Sequence, residues 1–246
     1  MKKPTIRRFL WYLLAVPRCA ACDERLAVAT GALCPQCRER YELALLAPCP
    51  FCGKVLSSCL CRGPALEGTS VKGLLKVFLY QAIEGEAPPP QNALLYRLKH
   101  HGDRRVVNEL ADRLAEAIRP HLEALPKDLL VTYAPRSRRA RLRYGFDHMA
   151  YLSAAVASRL ALPCASLLIR RGGKEQKKSG SRTARFRNME AAYRYHGHAP
   201  LDGRPILLLD DISTSGATLA AAARTLRGAG ASAVYAAVAA YTPPRE

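Results

Sequence analysis

The chain has 246 residues, room for one sizeable α/β core and a small accessory module. Its composition, 49% apolar and 24% charged, is globular and excludes a wholly disordered chain. Lys and Arg number 38 against 20 Asp and Glu, a formal charge of +18, which points to a polyanionic partner (nucleic acid or a phosphate-rich small molecule) or to a merely basic surface.

Met1 to Arg8 is basic and Phe9 to Val16 is apolar. No small-x-small cleavage site follows, and the run is too short to span a bilayer, so no transmembrane segment is predicted. The segment reads as a short helix that packs on the next unit or touches a membrane surface. On that reading the protein is cytoplasmic, with this segment as its means of any membrane association, and its thiols are reduced.

Eight of the nine cysteines follow, as Cys19-x2-Cys22, Cys34-x2-Cys37, Cys49-x2-Cys52 and Cys59-x-Cys61. Four thiolates suit one tetrahedral Zn²⁺, and a Cys-x-x-Cys turn presents two sulfurs to one ion. Gly53, Pro35 and Pro50 fit such turns. The simplest partition is Cys19/Cys22/Cys34/Cys37 with Cys49/Cys52/Cys59/Cys61; a cross-braced pairing fits the spacing too. Cys59-Leu60-Cys61 has one residue too few between its ligands, which predicts a strained or empty second site. With sulfur at every position the zinc is structural. Cys164 stands alone after Pro163 as a small buried hydrophobe. The chain therefore divides into a helix and Cys-rich unit over 1–68 and an α/β unit over 69–246.

Residues 69–105 read as transitional, with a turn-rich break from Glu84 to Gln91 containing Pro88-Pro89-Pro90. Val107, Leu110, Leu114, Ile118 and Leu122 keep helical spacing, and Pro120 predicts a kink or early end. Leu129 to Tyr133 is a buried strand. Arg136, Arg138, Arg139, Arg141 and Arg143 then crowd the carboxyl end of that strand, and Arg forks bind phosphate oxygens. Arg136, Ser137, Arg138 and Arg139 there suit a pyrophosphate; a plain basic loop is the alternative. Met149, Leu152, Val156 and Leu160 mark a second helix, and Leu167 to Ile169 a short strand. Residues 170–188 form a long loop with eight Lys or Arg and one acid, in which Lys177, Lys178 and Arg182 could close over a site.

Pro205 to Leu209 is wholly apolar, as a central parallel strand should be. It runs into Asp210-Asp211, then Ser213-Thr214-Ser215-Gly216-Ala217-Thr218. Buried paired carboxylates need ribose hydroxyls or a divalent cation as partners. Gly216, the hydroxyls, the backbone N–H groups and the N-terminus of a helix from Thr218 make an anion nest for a monophosphate. The loop thus matches a phosphorylated ribose, with phosphoribosyl pyrophosphate as the ligand. Gly228 and Gly230 stop the helix, and Ala233 to Tyr241 is the next strand. This alternation predicts a parallel sheet covered on both faces, with ligand outside the carboxyl ends of its strands. No Walker A or Gly-x-Gly-x-x-Gly motif occurs. The six His fall into no triad or metal pattern.

In this order, the Cys-rich segment, Tyr96-Arg97-Leu98-Lys99-His100-His101-Gly102-Asp103, Pro135 to Phe146, Gln176 to Asn188 and Asp210 to Thr218 resemble the ComF family of competence-associated phosphoribosyltransferase-like proteins. The resemblance implies a type I phosphoribosyltransferase fold, a metal-bearing double zinc ribbon, and handling of incoming single-stranded DNA beside uptake-machinery proteins. It also implies that Asp210 and Asp211 hold the ribose, that Thr214 to Thr218 hold the 5′-phosphate, and that Mg²⁺ accompanies the pyrophosphate. The family commonly has Gly-Phe-Asn-Gln where this chain has Gly145-Phe146-Asp147-His148, and two Thr where it has Thr214-Ser215. Three activities follow as expectations: a phosphoribosyltransferase with Asp210 and Asp211 as its catalytic pair, a single-stranded-DNA-binding module with stacking rings such as Tyr133, Tyr144 and Phe186, or a phosphoribosyl-pyrophosphate sensor.

Overall fold

The computed structural model describes residues 17–26, 31–81, 88–170 and 192–243. The N-terminal segment and the loop with Lys177, Lys178, Arg182 and Phe186 lie outside them. Its helices are α1 (Pro35–Leu45), α2 (Pro90–His101), α3 (Arg104–Ile118), α4 (Arg138–Tyr144), α5 (His148–Leu160) and α6 (Ala217–Gly228). Its strands are β1 (Val71–Leu79), β2 (Leu130–Tyr133), β3 (Leu168–Arg170), β4 (Tyr193–Tyr195), β5 (Ile206–Ser213) and β6 (Val234–Tyr241).

Four strands form one parallel sheet in the order β1-β6-β5-β2. β5 and β6 lie inside it and are apolar almost throughout, because helices cover both faces. Leu207 and Leu209 of β5 join the core under α2, α3 and α5, while Ile206 and Leu208 join the core under α6. The expected α/β architecture, a parallel sheet flanked by helices, is present.

Local chemistry sets the helix ends. Asp103 caps α3 by accepting the Arg105 N–H at 2.9 Å, Ser137 caps α4 from Ala140, and Asp147 caps α5 from Met149. The α3 stripe of Val107, Leu110, Leu114 and Ile118 is buried, and a 3-10 turn carries Pro120 where the helix ends.

Four expectations need correction. Cys164, expected as a small buried hydrophobe, is exposed. Residues 69–105 are no transition: they hold the edge strand β1, the whole of α2 and the start of α3. Gly73 and Lys76 interrupt the apolar run and hide that strand, yet both are buried. The short strand at 167–169 leaves the parallel sheet and pairs antiparallel with β4 as a separate hairpin. The strand predicted over 205–209 continues through both aspartates to Ser213, since β6 pairs with it as far as Tyr241.

The Cys-rich segment packs into the main core. Cys19, Cys34, Cys37 and Tyr41 share one apolar cluster with Leu75, Phe78, Leu94 and Leu110. Arg38 of α1 makes a bidentate pair with Glu109 of α3, at 2.5 and 2.6 Å. Tyr41 is fully buried edge-on to Phe78, and its hydroxyl has no hydrogen-bond partner. Tyr41→Phe should therefore leave stability unchanged or raise it, since an unpaired buried hydroxyl is lost. Tyr41→Ala should cost about 3–5 kcal/mol, both read by denaturant unfolding.

Candidate functional site

The site lies where β2 stops and β5 does not. Tyr133 pairs with Leu209, and Ala134 donates to the Leu209 carbonyl at 3.0 Å. Beyond that point β5 keeps β6 on one side only. The chain from Pro135 to His148 turns across the open side instead. Because side chains alternate across a strand, Asp210 and Asp211 face opposite sides of the sheet.

Asp211 is buried and held from two helices. His148 Nε2, at the start of α5, lies 2.5 Å from its Oδ2, and Lys99 Nζ of α2 lies 3.2 Å from its Oδ1. Burial opposes ionisation, but the His148 bond and the Lys99 charge outweigh it and hold Asp211 below the ordinary carboxylate range. Asp210, equally buried, accepts the Asp211 N–H at 2.9 Å. Burial first, then the charge of Asp211, drive its carboxyl well above the ordinary range; Lys99 and Arg170 only partly oppose this. The two carboxyls are thus pushed in opposite directions, Asp211 down by the partners it meets and Asp210 up by burial and the charge of its neighbour. Sequence reasoning missed Lys99, His148 and Arg170. Two of them sat in segments it quoted for other reasons, and the exchange at His148 was the available signal.

Ser213, Thr214 and Ser215 lead to Gly216, which is the N-cap of α6 in a left-handed conformation, φ 70°. No side chain caps the helix, so its first N–H groups keep their capacity for an anion. The Ser213 hydroxyl is buried without a hydrogen-bond partner. An ordinary capping role for these hydroxyls therefore does not describe the loop. The positive φ at 216 favours Gly, and a Cβ there would lie 2.9 Å from Leu66 Cδ2, so that side chain would have to shift. Ala217 is buried and Thr218 half-buried in the first turn.

Of the four residues predicted to face a pyrophosphate, Arg136 is the one turned into the corner. Its guanidinium stacks over Tyr144 at 4.7 Å, donates to the Lys99 carbonyl, and leaves buried Nη1 without a partner. The Ser137 hydroxyl serves the α4 cap, and Arg138 and Arg139 are exposed on α4. A cavity of about 1190 Å³ opens between β2 and the β3–β4 hairpin, walled by Tyr133, Pro135, Asp147, Ser166 and Tyr195. It flanks the acidic pair; neither aspartate nor the 213–218 loop lines it.

The cysteines gather as two groups, Cys19/Cys22/Cys34/Cys37 and Cys49/Cys52/Cys59/Cys61, each with its sulfurs within 4.8 Å of one another. This is the sequential partition, and the short Cys59-Leu60-Cys61 spacing closes a full set of four. All are free thiols. The two first knuckles repeat one geometry. Cys19 donates to the Glu24 carbonyl and Asp23 back to that of Cys19; Cys49 donates to the Lys54 carbonyl and Gly53 back to that of Cys49. Asp23 and Gly53 both take positive φ, 64° and 71°. Burial opposes ionisation of Cys19 and Cys49, but backbone N–H groups aimed at their sulfurs bring both down to about 7. Four convergent, ionisable thiols are the donor set Zn²⁺ takes in closed structural sites, so each group could hold one ion.

Residues 150–246 match the family model described as the phosphoribosyl transferase domain. No curated protein matches the chain. Solved structures with detectable likeness include a purine phosphoribosyltransferase from Pyrococcus horikoshii Ot3, at 19% identity over 55% of this chain and 72% of that one, TM-score 0.33. An orotate phosphoribosyltransferase from Aeropyrum pernix gives 18% over 63% and 66%, TM-score 0.36. An adenine phosphoribosyltransferase from Leishmania tarentolae gives 12% over 66% and 80%, TM-score 0.35. The chain thus carries a phosphoribosyltransferase-like domain, and its helix-flanked parallel sheet is of the type I phosphoribosyltransferase kind.

The split carboxyl pair has a pH signature. An unfolded Asp210 ionises near pH 4 while the folded one keeps its proton, so its penalty grows as pH rises from about 4 towards its raised value. Asp211 works oppositely: its contribution is present above about pH 4 and lost as pH falls through its lowered value. Without ligand, Asp210→Asn should be as stable as wild type or more so at neutral pH. Asp211→Asn, which strands Lys99 and His148, should lose about 3 kcal/mol there and less in acid, measured by denaturant unfolding across pH.

Proposed function

We propose that the protein binds phosphoribosyl pyrophosphate at the β5 corner and acts as a phosphoribosyltransferase in natural competence, handling DNA during uptake as the ComF resemblance implies. The observation that carries the ligand is the continuous run of two buried carboxylates, the partnerless Ser213 hydroxyl, and an uncapped helix N-terminus behind Gly216. Carboxyls for a ribose diol stand directly before donors for its 5′-phosphate.

In this reading Asp210 and Asp211 take the ribose hydroxyls, and Ser213 to Thr218 hold the 5′-phosphate. Arg136, with Lys99 near it, faces the pyrophosphate; Lys177, Lys178 and Arg182 are the candidates to close over it. A nitrogen nucleophile attacks carbon 1 as the bond to pyrophosphate breaks, and positive charge builds on the ribose ring. The ionised Asp211 stabilises that charge, and Arg136 stabilises the charge on the departing group. Mg²⁺, when bound, supplies further positive charge against the pyrophosphate, with the oxygen donors it prefers on Asp210 and Asp211. Phosphoribosyl pyrophosphate with Mg²⁺ should raise the melting temperature of the wild-type chain, and Asp210→Asn should shrink that shift markedly. A wild-type chain indifferent to the ligand would remove the proposal.

A second reading, single-stranded DNA binding, has its own support in a ring ladder beside the basic helix α4. Tyr96, 59% exposed, stacks on His100 at 4.1 Å, and His100 meets Tyr144 edge-on at 5.2 Å. Such rings, flanked by Arg, are platforms for unpaired bases. On this reading single-stranded DNA binds with an affinity that falls steeply with salt, and Tyr96→Ala weakens it by about 1–3 kcal/mol without altering the phosphoribosyl pyrophosphate shift. Binding that ignores salt, or is equal in the variant, would count against it.

A further inference from the structure

Lys76 sits in β1 with its side chain wholly buried, the only Lys or Arg so placed among the described residues. No carboxylate lies within ion-pair distance of it among those residues. Its ammonium donates to the Cys61 carbonyl at 2.6 Å and the Leu74 carbonyl at 2.9 Å, and its charge acts on the neighbouring Cys59 thiol. Two of its three donors are met by backbone carbonyls. The charge is not balanced. A buried ammonium among neutral carbonyls is costly unless negative charge lies close.

Four neutral thiols would supply none. Four thiolates around one divalent ion carry a net charge of about −2, directly beside Lys76. The geometry points to Lys76 as the counter-cation of a metal–thiolate centre at Cys49, Cys52, Cys59 and Cys61, balancing its charge and fixing it to the sheet edge. The first cysteine group has no such buried cation among the described residues, so the two centres should differ in their dependence on it.

The placement also ties that centre to the phosphate loop. The Lys76 ammonium lies 5.7 Å from the centroid of the Tyr241 ring. Phe51, between Cys49 and Cys52, meets the same ring edge-on at 6.1 Å. Tyr241 is paired in register with Ser213. This inference does not depend on the phosphoribosyl reading.

The test is metal binding by the full reduced chain, titrated with Zn²⁺ and with Co²⁺ against a competing chelator. Wild type should hold two ions. Lys76→Met should keep one with wild-type affinity and bind the other at least about tenfold more weakly, the usual scale for loss of a partner behind the ligands. Lys76→Gln, which keeps a donor for the Cys61 carbonyl but no charge, should behave alike, and it decides the matter if Lys76→Met does not fold. Two ions at wild-type affinity in either soluble variant, equal weakening at both centres, or fewer than two ions in wild type would each overturn the proposal.

Discussion

Strand β5 runs on past its neighbour β2, and the rest of the site depends on that overhang. A strand paired on both sides has its backbone groups committed to the sheet. From Asp210 onward β5 is paired to β6 alone, so the open side must be filled by other chain. Residues 135–148 fill it, and they bring Arg136, Asp147 and His148 with them. The alternation of the strand then separates the two aspartates. One meets Lys99 and His148, which favour its ionised form; the other faces the hairpin side, where burial favours its protonated form. Two adjacent residues of one type thus acquire different chemistry from their surroundings alone.

The cysteine-rich segment takes part in this arrangement. Its first group shares the main core, and its second leans on the edge strand β1 and, through Phe51, on Tyr241 at the end of β6. The turn Pro64–Leu66, which follows the last ligand, presses Leu66 against Gly216. Glycine is favoured there by its left-handed conformation, and any Cβ would also displace the Leu66 side chain. The 213–218 loop is therefore shaped from two sides, by the sheet beneath it and by the chain leaving the second cysteine group.

Much of this was legible in the residues. Helical spacing marked α3 and α5, because an amphipathic stripe survives any detail of packing, and glycines marked the end of α6. The apolar run before Asp210 announced a central parallel strand. The cysteine spacing announced two sulfur groups. Edge strand β1 stayed hidden because its Gly and Lys are explained only by neighbours distant in sequence: Leu60 against Gly73, and Cys59 and Cys61 against Lys76. Lys99 and His148 stayed hidden for the same reason. Each lies far from Asp211 along the chain, and no spacing rule connects a helix C-terminus, a helix N-terminus and a strand end.

The sequence by itself determined most of the elements, the cysteine groups and the order of carboxylates, hydroxyls and glycine over 210–218, since each is a local pattern. Only the tertiary structure decided which aspartate carries charge, which arginine turns inward, and which lysine is buried beside sulfur. Those outcomes depend on burial and on charges brought within a few ångströms by packing, and neither is a property of a residue's neighbours in sequence.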